Sequence, residues 1–317
     1  MNIKSIAIGI SLFWLTSGAI IFNCCEGKYS PPFIIFSGAV VSTLAAIYIA
    51  NSNTILASQK EQERLGVLKN YVLTMLEKTI SEIQEQITNL ETFILELSKT
   101  SSQTQNLALI NFWSIKSLSK TSDVDLYKVF IENTPETLDD KIEHYKSIKE
   151  SIYVIQYLNS LTQTNFHSFY EKSTARAEKF RENITSINFI YEKMRHLVAY
   201  NTKYQSNLNS EFMTQFVKLM NNILLKNVKS GDFDKENLYD YNSKLLPPVS
   251  ELCIKSTDDL DYPPQILKLA NEAHHQFQNY EYLKSDCQDV FESMKKDYEN
   301  ILGKIQLSLE YFEKKEK

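Results

Sequence analysis

Two uncharged runs at the start of the chain constrain its fold more than any other feature. From Ser5 to Cys25 there are 21 residues without a charge, holding IAIGISLFWLTSGAIIF. From Tyr29 to Gln59 there are 31, with PFIIFSGAVVSTLAAIYIA as the apolar part. A helix rises 1.5 Å per residue, so about 20 residues cross the roughly 30 Å hydrocarbon layer of a bilayer. Each run is long enough, and together they predict a transmembrane helical hairpin over residues 1–51, with spans at about 5–23 and 32–51. The rest of the chain, 52–317, reads as an all-helical domain.

Orientation follows from the basic residues that flank the spans. The linker NCCEGKYSPP offers Lys28 alone, whereas Lys4 and the amino group precede the first span and Lys60, Arg64 and Lys69 follow the second. Lys and Arg near span ends favour the cytoplasmic side, which predicts an inner-membrane protein with both termini cytoplasmic. Gly27 and the pair Pro31-Pro32 break the helices at the outer turn. A cleaved signal peptide needs small residues before the cut, and Ile21-Phe22-Asn23 supplies none. Cys24 and Cys25 then lie at the outer interface, either as an intersubunit disulfide or as two small hydrophobes at a helix end.

Inside the second span Gly38, Ser42, Ala46 and Ala50 recur every four residues. Such a stripe lets helix backbones approach closely in lipid, and it serves packing against the first span or association of hairpin copies. Neither span holds Asp, Glu, Lys, Arg or His, which argues against a proton relay or an ion-coupled transporter. Any ion path would be lined by groups such as Ser11, Thr16, Ser42 and Thr43.

The next segment is the most regular in the chain. Leu73, Leu76, Ile80, Ile83, Ile87, Leu90, Ile94 and Leu97 alternate three and four apart over four heptads, with Leu73, Ile80, Ile87 and Ile94 at a and the others at d. Ile at a with Leu at d suits a parallel coiled coil. Val72 and Phe93 beside the seam widen the apolar face toward what a helix inside a bundle needs, so an intramolecular bundle and self-association both remain open.

Helical stripes continue to the C-terminus. Ser122 with Asp125 reads as a capping box, and Pro135 after Thr134 as a helix start. Ile142, Tyr145, Ile148, Ile152, Ile155 and Leu158 mark one helix, and Phe180, Ile184, Ile187, Tyr191, Met194 and Val198 mark the next. A shorter helix is predicted over about 207–228. The last carries Phe277, Tyr280, Cys287, Phe291, Met294, Tyr298, Ile301 and Ile305. Between them residues 229–265, with Gly231, Pro247, Pro248, Pro263 and Pro264, read as an irregular excursion.

Several kinds of chemistry are excluded by what the sequence lacks. The formal charge of −5, with +1 in residues 1–50, leaves −6 beyond them and no basic footprint for nucleic acid. Gly66, Gly231 and Gly303 are the only glycines after residue 51, too few for a phosphate-cradling loop. Glu272 and His275 form a single Glu-x-x-His, short of the paired motif of a di-iron bundle. Asp232, Asp234 and Glu236 suggest a calcium loop, but Asn237 and Ser243 stand where Gly and Glu are required. Cys253 and Cys287 lack Cys-x-x-Cys spacing, and His144, His167 and His196 are scattered. The reading is of a protein without cofactor or metal that is not an enzyme.

The layout of an uncharged hairpin, IAIGISLFWLTSGAIIF and PFIIFSGAVVSTLAAIYIA, ahead of a helical domain resembles the two-span membrane effectors of bacterial antiphage systems, including those encoded beside a retron reverse transcriptase. The resemblance covers the layout without a specific motif, and no residue is carried over by it. It implies a cytoplasmic part restrained by a regulatory protein or a reverse-transcriptase ribonucleoprotein, and a membrane part that disrupts the inner membrane on release. A membrane-anchored coiled-coil scaffold that recruits cytoplasmic partners is the competing expectation.

Overall fold

The computed structural model describes residues 13, 16, 30–99, 106–132, 138–203, 210–256 and 261–313, and among them it is all-helical, without a strand. The first predicted span, apart from Phe13 and Thr16, lies outside the described residues, as do Cys24, Cys25, Gly27 and the helix start at Thr134-Pro135. The second run opens α1 (Ser30–Ser98), a helix of 69 residues that carries both the apolar run and the whole heptad stripe. Where the linker prolines were expected to break a helix, Pro31 and Pro32 occupy the first turn of α1, whose N–H groups have no intrahelical acceptor to lose.

The same placement makes part of the segment 229–265, read from the sequence as irregular, helical. Pro247 and Pro248 are the second and third residues of a helix Leu246–Lys255, and Pro263 and Pro264 those of a helix Tyr262–Glu313. The proline pairs therefore start helices. Among the described residues there, Gly231–Asn237, Ser256 and Asp261 depart from helical geometry, and Gly231 has φ of +82°, a conformation that glycine adopts without a Cβ clash.

The chain divides into two compact units, Met1–Thr74 with Ser122–Glu136, and Met75–Thr121 with Thr137–Lys317. In the first, α3 (Asp123–Tyr127) runs on into a π-helical turn, Lys128–Glu132, and lies against α1. In the second, α2 (Trp113–Leu118) precedes α4 (Leu138–Lys203), which merges the two helices expected separately. α5 (Glu211–Asn221) continues through π-helical Asn222–Asn227, and α6 (Leu246–Lys255) is followed by α7 (Tyr262–Glu313).

Within the second unit, α4 and α7 pack antiparallel along their length, His144 near Ser308 at one end and Phe180 against Phe277 toward the other. The part of α1 from Met75 onward joins them as a third helix. Phe93 is its anchor, buried and edge-on to Phe166, Phe169 and Phe291 at centroid distances of 5.7, 6.1 and 5.0 Å. Toward the other end of α4 a second core gathers Ile187, Met194, Phe216, Met220, Val249 and Ile266 from α4, α5, α6 and α7, with Leu245 from the π-helical turn Tyr241–Leu245. The last-helix stripe from Phe277 to Ile305 is buried at every position named from the sequence.

Candidate functional site

Among the described residues no group of His, Cys, Asp or Glu is gathered to act together, so the parts that could act are the exposed run of α1, the seam behind it and the polar contacts that hold both. α1 is the one helix among the described residues long and apolar enough to cross a membrane, and no residue of its apolar window is buried. Gly38, Ser42, Ala46 and Ala50 are all exposed, and nothing approaches within 4 Å of a Cβ built on Gly38. Ser42 donates to the Gly38 carbonyl at 2.6 Å, Thr43 to Ala39 at 2.8 Å and Thr54 to Ala50 at 2.9 Å. Thr16 does the same to Phe13 at 3.0 Å. Each hydroxyl proton is thus satisfied by its own helix, which is what a polar side chain in hydrocarbon requires.

Further along α1 the buried seam is offset from the heptad stripe. The d residues Leu76, Ile83, Leu90 and Leu97 are buried, but Leu73, Ile80, Ile87 and Ile94 are only half-buried. The second line of the seam is formed by Thr79, Gln86 and Phe93, with Leu65 and Val72 continuing the same face in the first unit. Spacing of three and four is kept while the face turns by about one position.

That offset buries polar groups, and the segment ahead of and within α2 satisfies them. Ser114 donates to Glu82, and Thr79 Oγ1 lies 2.7 Å from Ser114 Oγ and 2.8 Å from the Met75 carbonyl. The Ile110 N–H donates to Gln86 Oε1 at 2.8 Å, leaving Gln86 Nε2 buried without a partner. Such a group costs roughly 1–3 kcal/mol, so the seam is held less firmly than an all-apolar one.

A second polar contact secures the far end of α1. Lys284, 5% exposed, donates to the Lys99 carbonyl just past the helix at 2.8 Å and to the Tyr239 hydroxyl, beside Glu281 at 3.5 Å. Burial lowers the Lys284 pKa, and burial followed by the bond to Glu281 raises that of Tyr239 well above the usual tyrosine range. An ammonium beside the carbonyl end of a helix is electrostatically favoured.

In the first unit four charges interlock. Arg64 binds Glu61 at 2.9 Å and Asp125 at 2.8 Å, and Lys128 reaches Glu61 at 3.3 Å. Arg64 and then Lys128 pull the Glu61 carboxyl down to about 2, and Arg64 lowers Asp125 as well. Ser122 caps α3 by accepting from the Asp125 N–H at 3.1 Å, as the sequence predicts, while the Asp125 carboxylate turns to Arg64.

The remaining sequence candidates are dispersed. No group of three His, Cys, Asp or Glu able to hold a metal occurs among the described residues. Glu272 faces Lys268, and His275 contacts Asn279. Asp232 accepts from Ser230, and Asp234 from the Glu236 N–H. Cys253 and Cys287 are buried and free, their thiols pushed by burial up to about 11 and about 12. A groove of about 850 Å³ between α5 and α6, lined by Thr214, Val217, Lys218, Asn222, Pro248 and Leu252, escaped the sequence reading because its walls come from segments some thirty residues apart. Comparison with models of known families, with curated proteins and with solved structures finds no match to this chain.

Proposed function

We propose that this chain is a membrane effector of an antiviral system. Its N-terminal hairpin, spans at about 5–23 and 32–51, lies in the inner membrane with both termini cytoplasmic, and breaches that membrane when the helical domain is triggered. The observation that carries the reading is α1 itself, one unbroken helix whose exposed apolar run and buried seam are parts of the same rod. A change in how the bundle grips Met75–Ser98 has a direct path to the bilayer.

The mechanism is a shift in population between a gripped and a released helix. In the gripped state Leu76, Ile83, Leu90 and Leu97 are buried, with Lys284 on the Lys99 carbonyl. In the released state these residues join Leu73, Ile80, Ile87 and Ile94 in an open apolar face that pairs with further copies, while Gly38, Ser42, Ala46 and Ala50 bring their spans together. A regulatory protein or a reverse-transcriptase ribonucleoprotein encoded nearby supplies the restraint. The chain needs no catalytic residue, cofactor or direct contact with nucleic acid to do this.

A membrane-anchored scaffold is the second reading, favoured by the exposed aromatics Tyr153, Tyr157, Phe189 and Tyr200 along α4, which offer a docking surface for cytoplasmic partners. Dye entry and membrane potential in cells expressing the full chain, against residues 52–317 alone, test the two. Leakage from the full chain that is lost on Gly38→Ile with Ser42→Ile supports the effector. Intact membranes, even under phage challenge with the neighbouring genes present, leave the scaffold.

A further inference from the structure

We infer that a pocket between α4 and α7 binds a small, multiply charged phosphate group. Its lining follows one face of each helix: Lys172, Arg176 and Lys179 on α4, spaced four and three apart, and Asn279, Tyr282 and Asp286 on α7. The space they enclose is about 440 Å³, within the ~300–1,000 Å³ of small-molecule sites. Next to Lys179, Phe180 packs on Phe277 with ring centroids 6.1 Å apart, so the walls stand on a packed core and not on loops. The pocket lies wholly within the second unit and does not rest on the membrane reading of α1.

Charge decides what such a pocket takes. Three cations against the single carboxylate of Asp286 leave +2 at the lining, in a stretch of chain, 51–317, that sums to −6. None of the three cations is paired with a carboxylate among the described residues, unlike Arg64, Arg195 and Lys244. Arg176 donates instead to the neutral Gln276 Oε1 at 3.1 Å, which holds its guanidinium toward α7 without neutralising it. Like charges spaced three and four apart, within about two turns of one helix, repel one another, and a bound anion relieves that repulsion.

A phosphate group fits this donor set. Two ammonium groups and a planar guanidinium fork offer charged N–H donors to several oxygens at once, and the hydroxyl of Tyr282, a residue 69% exposed, adds a neutral donor. A long polyanion is a poorer occupant. Glu171, Glu178 and Glu182 lie about a quarter turn round α4, outside the lining, and would face a nucleic-acid backbone running past the pocket. The site therefore takes a compact group, carried either by a soluble phosphate compound or by the phosphomonoester headgroup of a lipid.

The test titrates pyrophosphate into the full-length protein in a non-ionic detergent, by calorimetry, at low and high sodium chloride. Saturable binding that weakens with salt is expected, and it should weaken by about tenfold or more when Lys172→Gln, Arg176→Gln and Lys179→Gln are combined. Lys172→Gln with Lys179→Gln, both at exposed positions, replaces that variant if circular dichroism shows it unfolded, and should weaken binding several-fold. A control removes three exposed lysines elsewhere, by Lys229→Gln, Lys235→Gln and Lys296→Gln, and should bind as the parent does. Absence of saturable binding, binding unchanged in the pocket variants, or an equal loss in the control overturns the site. Short-chain phosphatidic acid separates the two sources. Displacement of pyrophosphate by it, and not by short-chain phosphatidylcholine, assigns a lipid headgroup, and no displacement assigns a soluble phosphate compound.

Discussion

Phe93 illustrates how one side chain can define a bundle. Its ring meets Phe166 and Phe169 of α4 and Phe291 of α7 edge to face, an arrangement that adds about 0.5–1.5 kcal/mol per pair beyond burial. Phe93→Ala is expected to cost about 3–5 kcal/mol and to lower the melting temperature in a single transition, read by circular dichroism. Titration provides a second check at this scale. Burial raises Tyr298 and Cys287 to about 12 and Cys253 to about 11, and also raises Tyr191, Tyr241 and Tyr280. The folded state holds these protons more tightly than the unfolded chain does, so their contribution is complete below about pH 9 and is lost as pH rises above it. Lys284, lowered by burial, opposes this, since its penalty is relieved at high pH, but it is one group against seven, the raised Tyr239 included. Melting temperature should therefore fall between pH 8 and pH 11, and a flat profile would contradict the burial of these groups.

At the scale of an element, α1 separates what periodicity reveals from what it hides. Spacing of three and four was legible from Leu73 to Leu97, and of these residues Leu76, Ile83, Leu90 and Leu97 are buried. The rotation of the seam onto Thr79, Gln86 and Phe93 was not legible, because Thr79 and Gln86 are tolerable inside only when Ser114 and the Ile110 N–H arrive from elsewhere in the chain. The ion pairs that fasten α3 beside its buried Leu126 are partly exposed, so their contribution is predicted to weaken with salt and acid. Glu61 and Asp125 are held below the usual carboxylate range, so their contribution is present above about pH 4.5 and is lost as pH falls toward about 2. Arg64→Met should act likewise, raising hydrogen exchange over residues 122–132 while α7 stays protected. Equal exchange in variant and parent would show that apolar packing alone holds α3. The turn at Gly231 offers a further test: Gly231→Ala imposes a positive φ on a residue with a Cβ and should cost about 1–2 kcal/mol in thermal unfolding, whereas Gly303→Ala, in open space on a helix, should not destabilise.

At the scale of the whole molecule the continuity of α1 is the property that matters for the proposed function. Ser58→Pro removes a backbone donor and clashes with the preceding turn, interrupting the helix between its apolar run and its seam. If release of the bundle acts through a continuous rod, this variant should still insert and fold but fail to make cells leak. Leakage equal to that of the parent would show that the two parts act independently. Helical class, the membrane-length run and the inner faces of α4 and α7 were determined by the sequence alone, because they depend on local periodicity and on the absence of charge over a set length. Tertiary structure decided which face of α1 is gripped, that the proline pairs begin helices, and that Lys284 meets the Lys99 carbonyl, 185 residues away in the chain. Those outcomes depend on partners brought together by packing, and a buried polar group or a helix start is stable only where its hydrogen-bond partners or its unpaired first turn are supplied in space.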